Sequence, residues 1–293
     1  MHFSWCHIVA FLSALSLAQY AHAHEYKAPI NNSHWKTSGS KLECTLTYTI
    51  PAFGTATFSQ GSHQKQRLVV ESILDRLQPG KAKLQAYPQS WKYDNRVRKI
   101  GQVNVKPGTQ PITMKDLPVY QLLESLALGQ SAAFVITPAN TAHSKHESQK
   151  DTVVLLPVGF QKAYKEYLNC ISKMIPHSFS ELKEVVLHFE SGSAILSTSD
   201  ESKLKELGAF IRADGKIRKI AIEGHADRKG SFQANNYLAN QRMWAVKDFL
   251  VQHHGASADI FTLKDYADKV PVASNKTAAG RAKNRRVVIK LYR

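Results

Sequence analysis

The sequence has little cysteine and little acid, and each shortage narrows what the chain can be. Three cysteines occur in 293 residues. Cys6 precedes an apolar run from Ile8 to Leu17, which is followed by Ala21-His22-Ala23. This is the pattern of a signal peptide cleaved after Ala23, and a cysteine ahead of the run is misplaced for a lipoprotein anchor. Cleavage leaves Cys44 and Cys170, and in an exported protein such a pair favours a disulfide over a metal site. If bridged, the two close most of the first half of the chain into one loop, worth roughly 4–5 kcal/mol of chain entropy. No later run of about eighteen apolar residues follows, so the mature chain is expected to be soluble.

Acidic residues number 23 against 39 Lys and Arg, a formal net charge of +16. Such basicity generally points to nucleic acid or another polyanion. An exported chain meets instead the cell-wall polymer, lipid head groups and acidic proteins, so no nucleic-acid partner is expected. Catalytic signatures are missing too. The first part has no Gly-x-Ser-x-Gly, no His-Glu-x-x-His and no phosphate-cradling glycine loop. Nowhere do paired carboxylates or a metal triad suggest a wall hydrolase, and the chain is expected to be no enzyme. His143 and His146 share a polar loop at 138–150, but two histidines alone rarely hold a metal, so neither metal nor cofactor is expected.

What is present fits two domains, with 43% hydrophobic residues to fill their cores. Leu42, Cys44, Leu46, Tyr48 and Ile50 alternate with polar residues, the mark of a half-buried strand. Further strands are expected at 55–58, 68–70, 83–87, 97–105 and 132–137, with a helix over 117–128. Phe160, Tyr164, Tyr167, Leu168, Ile171, Met174 and Ile175 recur at helical spacing as a core stripe, and Pro176 marks a boundary. The expected organisation is a signal peptide (1–23), a β-rich partner-binding domain (24–175) and a mixed domain (176–293).

In the mixed domain, strands are expected at 185–189, 260–266 and 287–291, and a helix at 200–213. Between them Ile220 and Ile222 open a strand that Gly224 interrupts. A polar loop then carries His225, Asp227, Arg228 and Lys229, and Ser231 is placed to cap a long helix. On that helix Asn235, Leu238, Arg242, Ala245 and Phe249 form one stripe. Helical side chains lean toward the N-terminus, which aims Arg242 back at the Asp227 loop. A carboxylate and a guanidinium facing one pocket can hold a ligand carrying an ammonium beside a carboxylate. The same spacing also suits an Asp227–Arg242 ion pair that only ties loop to helix. His225 reads as a loop-edge residue, and Arg281, Lys283, Arg285 and Arg286 as a solvated basic face. Alternating strands and helices with a final strand pack as a two-layer α/β sandwich, so the whole is α+β.

Gly224-His225-x-Asp227-x-x-Gly230-Ser231, Asn235-x-x-Leu238 and Arg242 resemble the peptidoglycan-binding domain of the OmpA C-terminal family. Asn275-Lys276-Thr277 and Gly280-Arg281-Ala282-Lys283-Asn284-Arg285-Arg286-Val287 resemble its closing motif, in the same order. The resemblance implies that Asp227 accepts from the ammonium of diaminopimelate in the stem peptide and that Arg242 pairs with its free carboxylate. Asn235 and Arg285 match further pocket positions. The chain departs from the family pattern at Ala226, Ala234, Ala239 and Met243; Ala226 and Ala239 each lack a hydroxyl.

The first domain also resembles a known family. Leu42-Glu43-Cys44-x-Leu46, Ile50-Pro51-x-Phe53-Gly54-x-Ala56-x-Phe58-Ser59, Phe160-Gln161-x-x-Tyr164, Cys170-Ile171-Ser172 and Ser178-Phe179 are similar to the MotY family of flagellar motor proteins. That likeness implies a periplasmic part of a sodium-driven polar flagellar motor, associated with the outer membrane. Its first domain would meet a MotX-like companion and the basal body, in a ring that helps to capture stator units. The alternative is a general OmpA-family envelope protein tethering the outer membrane or another complex to peptidoglycan.

Overall fold

The computed structural model describes residues 24–74, 77, 79–89, 96–139 and 150–293. The expected leader (1–23), His143 and His146 lie outside the described residues. Among the described residues no helix is long and apolar enough to cross a membrane.

Among the described residues the first region has ten strands, two α-helices and a short 3-10 helix at Ile30–Asn32. Its strands are β1 (Glu25–Tyr26), β2 (Trp35–Gly39), β3 (Glu43–Ile50), β4 (Gly54–Gly61), β5 (Arg67–Ser72), β6 (Gly80–Tyr87), β7 (Arg98–Val105), β8 (Ile112–Lys115), β9 (Ser131–Pro138) and β10 (Asp151–Leu155). Helix α1 (Leu117–Ala127) precedes β9, and α2 (Phe160–Ile171) follows β10. The strands form two five-stranded sheets, ordered β1-β10-β9-β6-β7 and β2-β3-β4-β5-β8. In β3 the alternation is realised: Cys44, Leu46, Tyr48 and Ile50 are all buried. Strands β1, β2, β8 and β10 are additions to the sequence reading. Each is short, and β2 is a largely exposed edge strand whose polar residues give no period to detect.

Helix α2 lies on β2 and β3. It buries Phe160, Ala163 and Tyr167, while Tyr164 packs only in part and Leu168 is exposed. The helix ends at Ile171, so Met174 and Ile175 extend the expected stripe only as a turn. Trp35 closes this corner: its indole donates to the Leu156 carbonyl at 2.8 Å, and its ring meets Phe160 edge-on at 4.9 Å. A disulfide joins Cys44 to Cys170, 126 residues apart, and pins the end of α2 to β3. Leu42, expected on the inner face of β3, instead packs with the core of the second region.

The second region carries α3 (Phe179–Leu182), β11 (Glu184–His188), α4 (Thr198–Ala213), β12 (Lys219–His225), α5 (Phe232–His254), β13 (Phe261–Ala267), α6 (Ala278–Asn284) and β14 (Arg286–Tyr292). Its sheet is ordered β11-β14-β12-β13, with β12 parallel to β13 and the other pairs antiparallel. Leu204, Leu207 and Phe210 from α4 and Met243, Val246 and Leu250 from α5 cover one face, over Ile220, Ile222, Val287 and Ile289. A β-rich region followed by this mixed sheet and its helices is the α+β architecture expected. Helix α6 is an addition; Thr277 caps it by accepting from the Gly280 N–H at 3.1 Å.

Candidate functional site: a charged cavity at the end of β12

Strand β12 delivers the site, and α5 backs it. The close packing of the two rests on Gly224, where a Cβ would stand 2.9 Å from the Ala239 carbonyl oxygen and 2.8 Å from Met243 Cγ. Ser231 caps α5 as expected, accepting from the Ala234 N–H at 3.2 Å. The buried stripe of α5 is Asn235, Ala239, Arg242, Val246 and Leu250. It is rotated from the expected one, in which Ala245 and Phe249 prove half-buried.

Asp227, Asn235, Leu238, Arg242 and Arg285 line one cavity of about 400 Å³, together with Ser191, Gly192 and Lys229. All four expected site residues therefore come together, although they lie on a loop, a helix and the end of α6. The ion pair within the cavity differs from the one the spacing allowed. Asp227 pairs with Arg285 (Nη1 to Oδ2, 3.0 Å), and its other oxygen accepts the Lys229 N–H at 2.8 Å. Arg285 also donates from Nε to the Phe189 carbonyl at 2.9 Å, fixing its fork against β11.

Arg242 is fully buried. It donates to the carbonyls of Ser193 (2.8 Å), Glu190 (3.0 Å) and His225 (3.4 Å), and its guanidinium lies over the Phe189 ring at 5.2 Å. A guanidinium has five N–H donors, so two remain without a described acceptor. Burial, and then the charge of Arg285, pull its pKa down to about 10, against the opposing pull of Asp227. It stays charged at neutral pH. Asn235 is buried with its Nδ2 unpartnered among the described residues. Buried amides are nearly always satisfied, so this donor is an open valence inside the cavity.

Sequence reasoning passed over Asn284, which ties the loop before α6 to the chain just ahead of Arg285. Asn284 is fully buried; it accepts from the Val272 and Ala273 N–H groups (2.9 and 3.0 Å) and donates to Asn275 Oδ1 (2.9 Å). Asn275 Oδ1 in turn accepts the Arg228 N–H at 3.1 Å, tying this loop to the one carrying Asp227. The only signal was its place in the closing motif. Two expectations are corrected. His225 is the buried last residue of β12, stacked on Tyr266. The basic face holds for exposed Lys283 but not for Arg286, which is buried. Of the departures from the family pattern, Ala226 and Ala239 are buried in the packing beside the cavity.

Both regions of the chain resemble known proteins. Residues 188–285 match the OmpA family. The chain is 25% identical over 294 aligned positions to the sodium-type flagellar protein MotY of Vibrio parahaemolyticus, covering 96% of this chain and 95% of that protein. Motility protein B of Bacillus subtilis is 36% identical over 107 residues, 35% of this chain and 41% of that protein. The peptidoglycan-binding protein ArfA of Mycobacterium tuberculosis is 36% identical over 101 residues, 34% and 30% of the two chains. Residues 26–176 match the MotY N-terminal domain, so the chain belongs to the MotY family.

Proposed function

We propose that this protein is a non-enzymatic, periplasmic component of a sodium-driven flagellar motor that anchors the assembly to peptidoglycan. The observation that carries the wall-binding half is the cavity itself. Asp227 offers a carboxylate for an ammonium, and among the described residues no carboxylate lies within ion-pairing distance of Arg242. Among the described residues two N–H groups of Arg242 and the Nδ2 of Asn235 have no acceptor, and both side chains line the cavity. The matching guest is the free zwitterionic end of diaminopimelate, with its ammonium at Asp227, its carboxylate at Arg242 and Asn235, and Arg285 holding Asp227 in place. Likeness to a protein named for binding peptidoglycan supports the same reading.

The motor half rests on likeness to MotY along nearly the whole chain. The first region would associate with the basal body and a MotX-like companion, and indirectly with stator units. Pelleting with purified sacculi tests the cavity: Asp227→Asn and Arg242→Gln should each lose a charge-assisted contact of roughly 1.5–3 kcal/mol, enough to leave the protein in the supernatant. Unchanged pelleting of both folded variants would reject the cavity as the wall site.

A second reading is a general envelope protein tethering the outer membrane or another complex. It is favoured by the relatives that align with the second region alone. Swimming of a deletion strain separates the two, since normal motility with intact filaments leaves only the tether.

A further inference from the structure

The face of the second sheet turned away from α4 and α5 carries a second charged cavity, of about 610 Å³. Successive residues of a strand point to opposite faces. Arg285 and Arg286 accordingly part company, the first to the Asp227 cavity and the second to this one. Arg286 is directly opposite His188 on β11 and His225 on β12, so the register sets a His–Arg–His row across three strands. Further along the groove Glu223 and Lys290 satisfy each other at 2.9 Å. The row has no such balance: among the described residues no carboxylate lies within ion-pairing distance of Arg286.

The hydrogen bonds of the row show what is missing. Arg286 donates from Nη2 to His225 Nδ1 (3.3 Å) and the Val270 carbonyl (3.2 Å), and from Nη1 to the Asn284 carbonyl (3.5 Å). Among the described residues its Nε–H and one Nη1 hydrogen have no acceptor. A guanidinium can only donate, so His225 Nδ1 accepts and the neutral ring carries its proton on Nε2. Burial and Arg286 hold this ring's pKa down to about 4, which keeps it neutral. That Nε2 is buried with no partner among the described residues, in a residue 3% exposed. The groups that Arg286 and His225 leave unsatisfied among the described residues are therefore donors, beside a buried positive charge, with exposed His188 and Lys283 at the rim. A buried cation without a counter-charge is costly, and a bound anion would relieve it.

We infer that the His188–Arg286–His225 row is an oxyanion-binding site, for a carboxylate or a phosphate group, separate from the Asp227 cavity. The test is a proton NMR titration of the mature protein at pH 7 and constant ionic strength, with sodium phosphate in one series and sodium acetate in the other. The readouts are the imidazole resonances assigned through His188→Gln and His225→Gln. Both resonances should shift and saturate with at least one anion, and the series that saturates distinguishes a phosphate-bearing from a carboxylate-bearing ligand. Arg286→Gln should raise the half-saturation concentration about tenfold. Arg286 is buried and its loss can unfold the domain, so Lys283→Ala at the rim serves as a second variant, expected to weaken binding severalfold. No saturable shift with either anion, or unchanged half-saturation in the folded variants, would overturn the inference.

Discussion

Breaking the Cys44–Cys170 bridge should remove most of the first region's stability. The bridge spans 126 residues of sequence and fastens α2, the lid over Trp35 and Tyr48, to the buried face of β3. For a loop of that length the chain-entropy model gives about 5 kcal/mol, comparable with the whole stability of many domains. Local geometry leaves little slack. Gly39 pairs with Cys44, and a Cβ there would run into Cys170 Sγ. Urea unfolding of the Cys44→Ala/Cys170→Ala protein, followed by Trp35 fluorescence, should show a midpoint lowered by roughly 2–3 M at ordinary m-values. Unfolding of the second region, followed through Trp244, should move little, because distant sites act almost independently. A loss below about 1 kcal/mol would refute the view that the bridge restrains the unfolded chain.

Two further outcomes follow from the second region. Burial lowers the pKa of His225 from 6.5 to about 4, and lowers those of His188 and His254 in the same direction. The unfolded chain then takes up protons that the folded one refuses, so stability is complete above pH 6.5 and declines as the pH falls toward 4. His225 alone accounts for up to about 3 kcal/mol; unfolding at pH 7 and pH 4.5 should differ more in wild type than in His225→Gln, and parallel slopes would contradict this. Gly224→Ala should cost about 1–3 kcal/mol by overpacking. By pushing α5 off β12, it should also weaken sacculus binding while the helical circular dichroism persists; stability unchanged within 0.5 kcal/mol would show that the contact is slack.

Much of this fold was legible because its strands and helices obey their periods. Cys44 to Ile50 alternates cleanly, and Ser231 announces α5. The site was legible through residue types that have no place in an ordinary core: Asn235 and Arg242 on an inward stripe. What remained hidden depends on partners distant in sequence. Spacing suggested that Asp227 meets Arg242, but Arg285 wins the contact because α6, unrecognised in the sequence, ends beside the Asp227 loop. Arg286 read as surface because a run of basic residues carries no period, and only the register with His188 and His225 reveals its burial. The short strands β2 and β8 owe their existence to neighbours rather than to their own pattern.

The central claim is that a carboxylate on the ligand completes Arg242. Calorimetric titration of the mature protein with two soluble muropeptides, identical except for diaminopimelate or lysine in the stem, tests it most directly. Without the side-branch carboxylate the buried guanidinium stays unmatched, so the lysine form should bind at least about tenfold more weakly, 1.4 kcal/mol or more. Equal affinity for the two would contradict the account.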